Sequence, residues 1–145
     1  MKALISELNK EHEIIAQVMS SLEGYLHRNN FSESMRELQA SLGGLTRDLL
    51  VAHHEKEEKY LYDWMVKQNK ESDKELIQKL VDDHKYFEES LQQIKSDIDK
   101  FIISPESVSL AGIGSDLNFL VIKYKEHLER ETYFIFYIAE SLSQN

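Results

Sequence analysis

The chain has 145 residues, of which 41% are hydrophobic, with one proline, five glycines and no cysteine. This length predicts a single domain over residues 1–145, and the shortage of helix breakers favours an all-α fold. The net charge of −9 argues against a nucleic-acid partner, which would require a basic surface. No apolar run reaches the roughly 18–20 residues that a membrane span needs.

The lack of cysteine excludes disulfide bonds and thiolate ligands, so a metal would have to be bound by histidine, carboxylate or tyrosine side chains. The first residues include acidic side chains too early for a signal peptide. We therefore expect a cytoplasmic protein.

The first predicted helix has apolar residues at alternating four- and three-residue steps, which is the pattern of a bundle helix. It is expected to end at Asn29 and Asn30, with His27 on its polar side. One histidine, His12, lies within the apolar row, which consists of Leu8, His12, Ile15, Met19, Leu22 and Leu26.

A second helix is predicted over residues 34–68, with Ser32 or Ser34 as its N-cap. Its Gly43–Gly44 step costs about 1 kcal/mol per glycine and indicates close packing or a kink.

The middle of this helix carries two histidine–glutamate pairs, because residues four apart share a helix face. His53 and Glu57 fall near the centre of the apolar face, whereas His54 and Glu58 are predicted to point towards solvent. A buried imidazole and carboxylate must be satisfied, either by hydrogen bonding to each other or by a metal ion. The apolar face is formed by Leu42, Leu45, Leu49, Leu50, Tyr60, Leu61 and Trp64.

A third helix is predicted to begin with Ser72 or Asp73 as its cap. Its apolar row again contains a histidine and consists of Ile77, Leu80, His84, Phe87, Leu91, Ile94, Ile98 and Phe101.

Ser104–Pro105 is a helix-start signal for the fourth helix, although Gly112 and Gly114 suggest that its regular part begins near Ser115. Its row consists of Leu110, Ile113, Leu117, Leu120, Tyr124, His127, Glu131, Phe134 and Ile138. Four helices joined by short loops predict an antiparallel up-down-up-down four-helix bundle.

Each predicted helix thus places one histidine on its apolar row, and three of the four have a glutamate four residues later: Glu57 and Glu131 on the same face, and Glu88 at the edge of the apolar face. A lone buried histidine is usually structural, but four such occurrences indicate a shared site. The similar chain separation of the paired histidines allows all of them to reach one layer of the bundle. The cluster would comprise His12, His53, Glu57, His84, His127 and Glu131.

Four imidazole nitrogens and four carboxylate oxygens suit two metal ions, with carboxylates able to bridge them. Two octahedral ions have more coordination positions than these eight ligand atoms fill, which leaves room for another side chain and an exogenous ligand. Mixed ligation of this kind favours iron or manganese; zinc would use fewer ligands, and calcium and magnesium avoid imidazole.

These residues resemble the hemerythrin-like (HHE cation-binding) family, four-helix bundles with a non-haem di-iron centre. The segment from His53 to Tyr62 is similar to the family's H-x-x-x-E-E-x-x-L-F stretch, and the surroundings of His12, His84 and His127 resemble its other ligand segments. The resemblance implies that two iron ions, in an Fe–O–Fe type centre, are bound by His12, His53, Glu57, His84, His127 and Glu131. Ferritin-like bundles use E-x-x-H motifs instead, and no histidine here follows a glutamate by three residues.

The chain departs from oxygen-carrying hemerythrins, which have a second histidine where Glu88 stands. Their fourth helix has an aspartate five residues after its histidine, whereas Glu131 comes four residues after His127. Its H, H-x-x-x-E, H, H-x-x-x-E pattern resembles the branch associated with iron or oxygen sensing and with peroxide or nitric-oxide chemistry. Glu88 is either a further oxygen ligand or a solvated residue at the helix edge. Four tyrosines either approach the site or belong to the core: Tyr60, Tyr62, Tyr86 and Tyr124.

Three functions follow from this pattern. The protein binds or senses O2 or a related small ligand, or it is an enzyme acting on peroxide or nitric oxide, or it is a structural bundle without metal. Iron–sulfur repair proteins contain similar domains after a cysteine-bearing segment, which this sequence lacks. The sequence indicates no particular protein partner.

Overall fold

The computed structural model describes residues 1–44, 49–68 and 71–143, and their side chains except at 71–73, 134, 142 and 143. Regular structure in these ranges is entirely helical, as predicted. Its α-helices are α1 (Lys2–Leu26), α2 (Met35–Gly44), α3 (Ala52–Lys56), α4 (Asp63–Lys67), α5 (Glu71–Ile103), α6 (Leu110–Arg130) and α7 (Tyr137–Ser143). None of the described helices is both long and apolar enough to cross a membrane.

Residues 49–51 are π-helical, and two further π-helical segments interrupt the second and fourth helices of the bundle. The first π segment (Glu57–Tyr62) joins α3 to α4, and the second π segment (Glu131–Phe136) joins α6 to α7. Short 3₁₀ turns cover Phe31–Ser34 and Pro105–Ser107. The chain therefore forms a helical bundle of four long segments: α1, α2 to α4, α5, and α6 to α7.

The core consists of two apolar clusters with a polar layer between them. One cluster includes Ile15, Leu50 and Phe87, and the other includes Leu8, Leu61 and Leu80. On each of the four segments, the predicted histidine stands between residues of the two clusters. The polar layer therefore crosses the bundle at one level, as the matching depths of the histidines predicted.

The first π segment explains why some residues predicted on the apolar face of the second helix are not buried. A π turn contains an extra residue and rotates the residues that follow it around the helix. Tyr60 is 54% exposed and Trp64 is half-buried, while Tyr62 is buried. The first π segment begins at Glu57 and the second at Glu131, both glutamates of the polar layer.

The start of the fourth helix also differs from the prediction. Ser104–Pro105 initiates only a 3₁₀ turn, and the α-helix begins at Leu110. Ser109 caps it, because its Oγ accepts a hydrogen bond from the backbone N–H of Gly112 at 3.0 Å. A Cβ at Gly112 would lie 3.3 Å from the Cβ of Ser109, so glycine leaves room for this cap.

Two other boundary predictions are corrected. The third helix begins at Glu71, so Ser72 and Asp73 lie inside it and are not its N-cap. On the second helix, Ser32 donates to Asn30 at 2.7 Å rather than capping, and buried Ser34 lies in the 3₁₀ turn.

The Gly43–Gly44 step ends α2 without close packing, since a Cβ at either position would meet nothing within 4 Å. A kink after this step would fall at residues 45–48, outside the described ranges, as does the predicted core residue Leu45. The side chain of Phe134 is likewise not described. His27 is exposed, as predicted.

Candidate metal centre

The six side chains singled out by sequence lie together in the polar layer, each at most 5% exposed. Glu57 is at the centre of the group. Its Oε2 lies 3.2 Å from Nε2 of His12, and its Oε1 lies 3.2 Å from Nε2 of both His53 and His84. One carboxylate thus contacts imidazoles from three different helical segments.

Glu131 provides the second carboxylate of the cluster. Its Oε1 contacts Nε2 of His127, one helical turn earlier, and lies 3.7 Å from Nε2 of His84. Two groups are able to hold a cation: His12, His53 and Glu57 form one, and Glu57, His84, His127 and Glu131 form the other. Within each group the candidate ligand atoms lie within 4.8 Å of one another, and Glu57 belongs to both.

Most of the inward-facing atoms lack hydrogen bonds despite their burial. Leaving such a polar atom unpaired costs about 1–3 kcal/mol. Their convergence suits a metal ion, which would accept electron pairs from all of them. The atoms without a hydrogen-bond partner among the described residues are Nε2 of His53, His84 and His127, and Oε1 of Glu57 and Glu131.

The outward-facing Nδ1 atoms of the four histidines are all hydrogen-bonded, three of them to carboxylates. A carboxylate accepts from Nδ1–H, which leaves Nε2 free for a metal and fixes the ring orientation. The contacts join His53 to Glu11 at 2.8 Å, His84 to Glu58 at 3.1 Å, His127 to Asp83 at 3.1 Å, and His12 to Thr132 at 3.1 Å.

These four contacts form a closed ring around the bundle. A residue of the first helical segment supports the histidine of the second segment, and a residue of the second supports the histidine of the third. In the same way, the third segment supports the histidine of the fourth, and the fourth supports the histidine of the first. None of the four supporting residues was predicted from the sequence. Their common sequence feature is that each stands directly beside a predicted ligand: Glu11, Glu58, Asp83 and Thr132.

The ring predicts the effect of replacing Asp83 with asparagine. The substitution removes the charge that holds the His127 imidazole, and we expect metal affinity to fall by about ten-fold. Competition with a chromophoric chelator measures this change. Asp82→Asn is the matched control, because exposed Asp82 accepts only from Gln78 at 3.0 Å on the same helix. Equal affinities of the two variants would contradict a supporting role for Asp83.

The two carboxylates have opposite protonation preferences without a metal. Burial, followed by the neighbouring charge of Glu131, raises the pKa of Glu57 well above its usual range. Burial alone would also raise the pKa of Glu131, but its contacts with Glu57 and His127 hold that pKa well below its usual range. Without a metal, the polar layer therefore favours the neutral form of Glu57 and the ionised form of Glu131.

The pKa values of two histidines in the cluster are also shifted in opposite directions. Burial lowers the pKa of His12 to about 4. Burial also acts to lower the pKa of His84, but the carboxylates of Glu131, Glu57 and Glu58 outweigh it and raise this pKa to about 10.

Metal loading is consequently expected to release protons. At pH 8 metal-free His84 is protonated, since its pKa is about 10, and its Nε2 must lose that proton to bind a metal. We expect at least about one proton per chain to be released, as measured by calorimetry in buffers of different ionisation enthalpy. The exposed-histidine variant His27→Gln is expected to release the same number. Loading without proton release would show that His84 is not deprotonated by the metal.

His54 corrects the sequence prediction, because it is 1% exposed rather than solvent-facing. Its Nε2 lies 2.6 Å from the hydroxyl oxygen of Tyr124, and its ring stacks on His84 with centroids 3.9 Å apart. The second helical segment packs on two sides: His53 contacts α1, whereas His54 contacts α5 and α6. The prediction of a single buried face on the second helix therefore missed the side that carries His54. Burial also lowers the pKa of His54 well below its usual range.

Glu88 belongs to neither cation-holding group, and its Oε1 lies 3.3 Å from Nδ1 of His54. Of the four tyrosines, Tyr62 and Tyr124 are buried beside the cluster, while Tyr60 and Tyr86 are exposed. The hydroxyl of Tyr62 donates to Oε2 of Glu131 at 2.7 Å.

Comparison with known proteins agrees with this geometry. Residues 3–137 match the family described as the hemerythrin HHE cation binding domain. No curated protein and no solved structure was found to match the chain. The family match spans nearly the whole chain and includes every residue of the buried cluster. The chain therefore belongs to the hemerythrin HHE cation-binding domain family.

Proposed function

We propose that this protein is a non-haem di-iron protein that binds or senses O2 or a related small ligand. The observation that carries the proposal is the set of five buried ligand-type atoms that have no hydrogen-bond partner within the described parts of the chain. Six residues would hold the metal pair, with Glu57 shared between the ions: His12, His53, Glu57, His84, His127 and Glu131.

The number and type of ligands support iron. Two cation-holding groups that share one carboxylate suit a pair of ions close enough to be bridged. Mixed imidazole and carboxylate ligation is suited to iron or manganese, and zinc in such a site would leave ligands unused. Octahedral ions would keep positions open for a small exogenous ligand.

We also infer an antiparallel up-down-up-down order for the four segments. The support is the composition of the second apolar cluster. It joins Leu8 near the start of the first segment to Met65 near the end of the second, and Leu80 near the start of the third to Ala139 near the end of the fourth. Alternating directions bring these ends together.

A second candidate is an enzyme that acts on peroxide or nitric oxide. Two buried tyrosines beside the cluster favour it, because redox enzymes need nearby groups that supply protons or electrons. Tyr62 is hydrogen-bonded to Glu131, a proposed ligand, and Tyr124 is hydrogen-bonded to His54 beside His84.

Metal analysis of protein purified without chelator tests for the di-iron centre, which both candidate functions require. We expect about two irons per chain, with oxo-to-iron absorption in the near ultraviolet. If the protein holds no metal and takes up no ferrous iron under anaerobic conditions, the di-iron proposal is wrong. The four histidines would then be core residues.

Reactivity then separates the two candidates. A stable spectrum that forms under O2 and reverses on its removal would favour ligand binding or sensing. Rapid consumption of peroxide or nitric oxide by the iron-loaded protein would favour an enzyme. The exposed-residue variant Glu55→Gln is a suitable reference for both measurements, because Glu55 lies on the same helix but points away from the cluster.

A further inference from the structure

We propose that Tyr124 is a redox-active tyrosine that supplies one electron when the metal pair reacts with peroxide. The inference rests on the peroxide-reducing form of the proposed function. Tyr124 is completely buried, and its hydroxyl oxygen lies 2.6 Å from Nε2 of His54. Because a phenol gives up an electron far more readily when its proton has an acceptor, this contact is the first requirement for such a role.

The second nitrogen of His54 determines which way the hydrogen bond points. Nδ1 of His54 lies 3.3 Å from Oε1 of Glu88. When Glu88 is ionised, its carboxylate only accepts, so Nδ1 then carries the hydrogen and Nε2 is the acceptor for the phenol. Tyr124 therefore donates to His54, and the proton has a position to move to. The side chain of Glu88 is 32% exposed, so this hydrogen-bonded row reaches the surface.

Tyr124 is also close to the proposed ligands. Its ring centroid lies 5.8 Å from that of His127 and 5.9 Å from that of His54, which stacks on His84 at 3.9 Å. An electron leaving the phenol would reach two imidazoles of the cluster through adjacent rings, without crossing an apolar gap.

Tyr62, the other buried tyrosine, has a proposed metal ligand as its proton acceptor. Its hydroxyl donates to Oε2 of Glu131 at 2.7 Å. A carboxylate that binds a metal cation shares its negative charge with the cation and becomes a weaker base. Loss of the Tyr62 proton is therefore opposed in the loaded protein, whereas the acceptor of Tyr124 is an imidazole outside both cation-holding groups.

An aromatic row leads from Tyr124 to the surface. Phe87 lies 4.6 Å from Tyr124 between ring centroids, and Tyr86 lies 5.6 Å from Phe87. Tyr86 is 43% exposed and lines a cavity of about 320 Å³ together with Phe119 and Lys123. A small reductant at this surface would restore the oxidised tyrosine.

The step balances when the iron pair holds one ferrous and one ferric ion. Peroxide takes two electrons and two protons, its O–O bond breaks, and two waters form. The metal pair held by the six buried ligands would supply one electron by oxidation of its ferrous ion. The other comes from Tyr124, whose O–H bond breaks to leave a neutral tyrosyl radical. Nε2 of His54 takes the phenol proton, and two protons from solvent complete the waters.

Electron paramagnetic resonance after rapid freezing tests the proposal. Iron-loaded protein reduced by one electron per metal pair is mixed with one equivalent of hydrogen peroxide. We expect a tyrosyl radical signal, which is lost in Tyr124→Phe and retained in the exposed-tyrosine control Tyr133→Phe. Iron content and the spectrum before mixing show whether each variant still holds the metal pair. If Tyr124→Phe fails to load iron, His54→Gln takes its place and is also expected to lose the signal.

The outcomes distinguish this inference from the proposed function. Wild-type protein that consumes peroxide without forming a radical would overturn the role of Tyr124 and leave the di-iron proposal intact. A radical that persists in Tyr124→Phe would overturn that role as well. Wild-type protein that binds no iron would instead contradict the proposed function itself.

Discussion

Replacement of Glu57 with glutamine is expected to abolish metal loading while preserving the fold. Glu57 is the one residue that belongs to both cation-holding groups, so its loss affects both ions. Burial and the nearby charge of Glu131 raise the pKa of Glu57, and glutamine has the shape of the neutral carboxyl group that this environment favours. The metal-free variant should therefore be as stable as metal-free wild type.

Metal content by mass spectrometry is the measurement for this variant. We expect a fall from about two metal ions per chain to almost none. Thermal unfolding of the metal-free proteins checks that the fold is retained. Glu55→Gln is the matched control: it makes the same chemical change on an exposed residue of the same helix, and is expected to keep full loading. Full loading of Glu57→Gln would contradict the shared-carboxylate site.

Removal of the metal is expected to lower the stability of the wild-type protein substantially. Five buried atoms of the cluster have no hydrogen-bond partner among the residues that the structure describes, and a metal would satisfy them. A ligand present at about 1,000 times its dissociation constant stabilises the native state by about 4 kcal/mol. For a chain of this size, that corresponds to a fall of about 8–16 °C in melting temperature on chelation.

Calorimetric melting before and after chelation measures this effect, and anaerobic reloading with ferrous iron should reverse it. The Glu57→Gln variant is the control, since chelation should leave its melting temperature unchanged. Identical melting of metal-loaded and chelated wild type would instead favour the structural bundle, in which histidine–glutamate contacts exist without metal.

The periodic features of this protein were predictable from its sequence. Each buried histidine repeats in step with the apolar residues around it, and that repeat follows directly from the geometry of the α-helix. The apolar rows accordingly identified the core residues of the third helix and, except for Ile5, those of the first, as well as the six side chains of the polar layer. The pair spacing of His53 with Glu57 and of His127 with Glu131 placed both members of each pair on one face.

The departures from regular helix were not predictable in the same way. The π segments at Glu57 and Glu131 shift the helix phase, so Tyr60 is exposed and Tyr62 is buried. A sequence pattern with a 3.6-residue period does not predict such a shift. The extra residue of a π turn is accommodated by packing against neighbouring helices.

The burial of His54 has a related cause. A residue at the border of a helix face is buried or exposed according to how many neighbours the helix has. Here α5 and α6 both contact that border, through Glu88 and Tyr124. Which helices lie there is a property of the assembled bundle rather than of any local segment.

The amino-acid sequence alone therefore specified an all-helical chain with one histidine per helix in a common buried layer, because helical periodicity is local. Only the folded bundle revealed the ring of supporting hydrogen bonds, the sharing of Glu57 between two cation-holding groups, and the His54–Tyr124 pair. Each of these joins side chains on different helices, and such contacts depend on how the helices are rotated and placed side by side. Chain spacing carries no information about that arrangement.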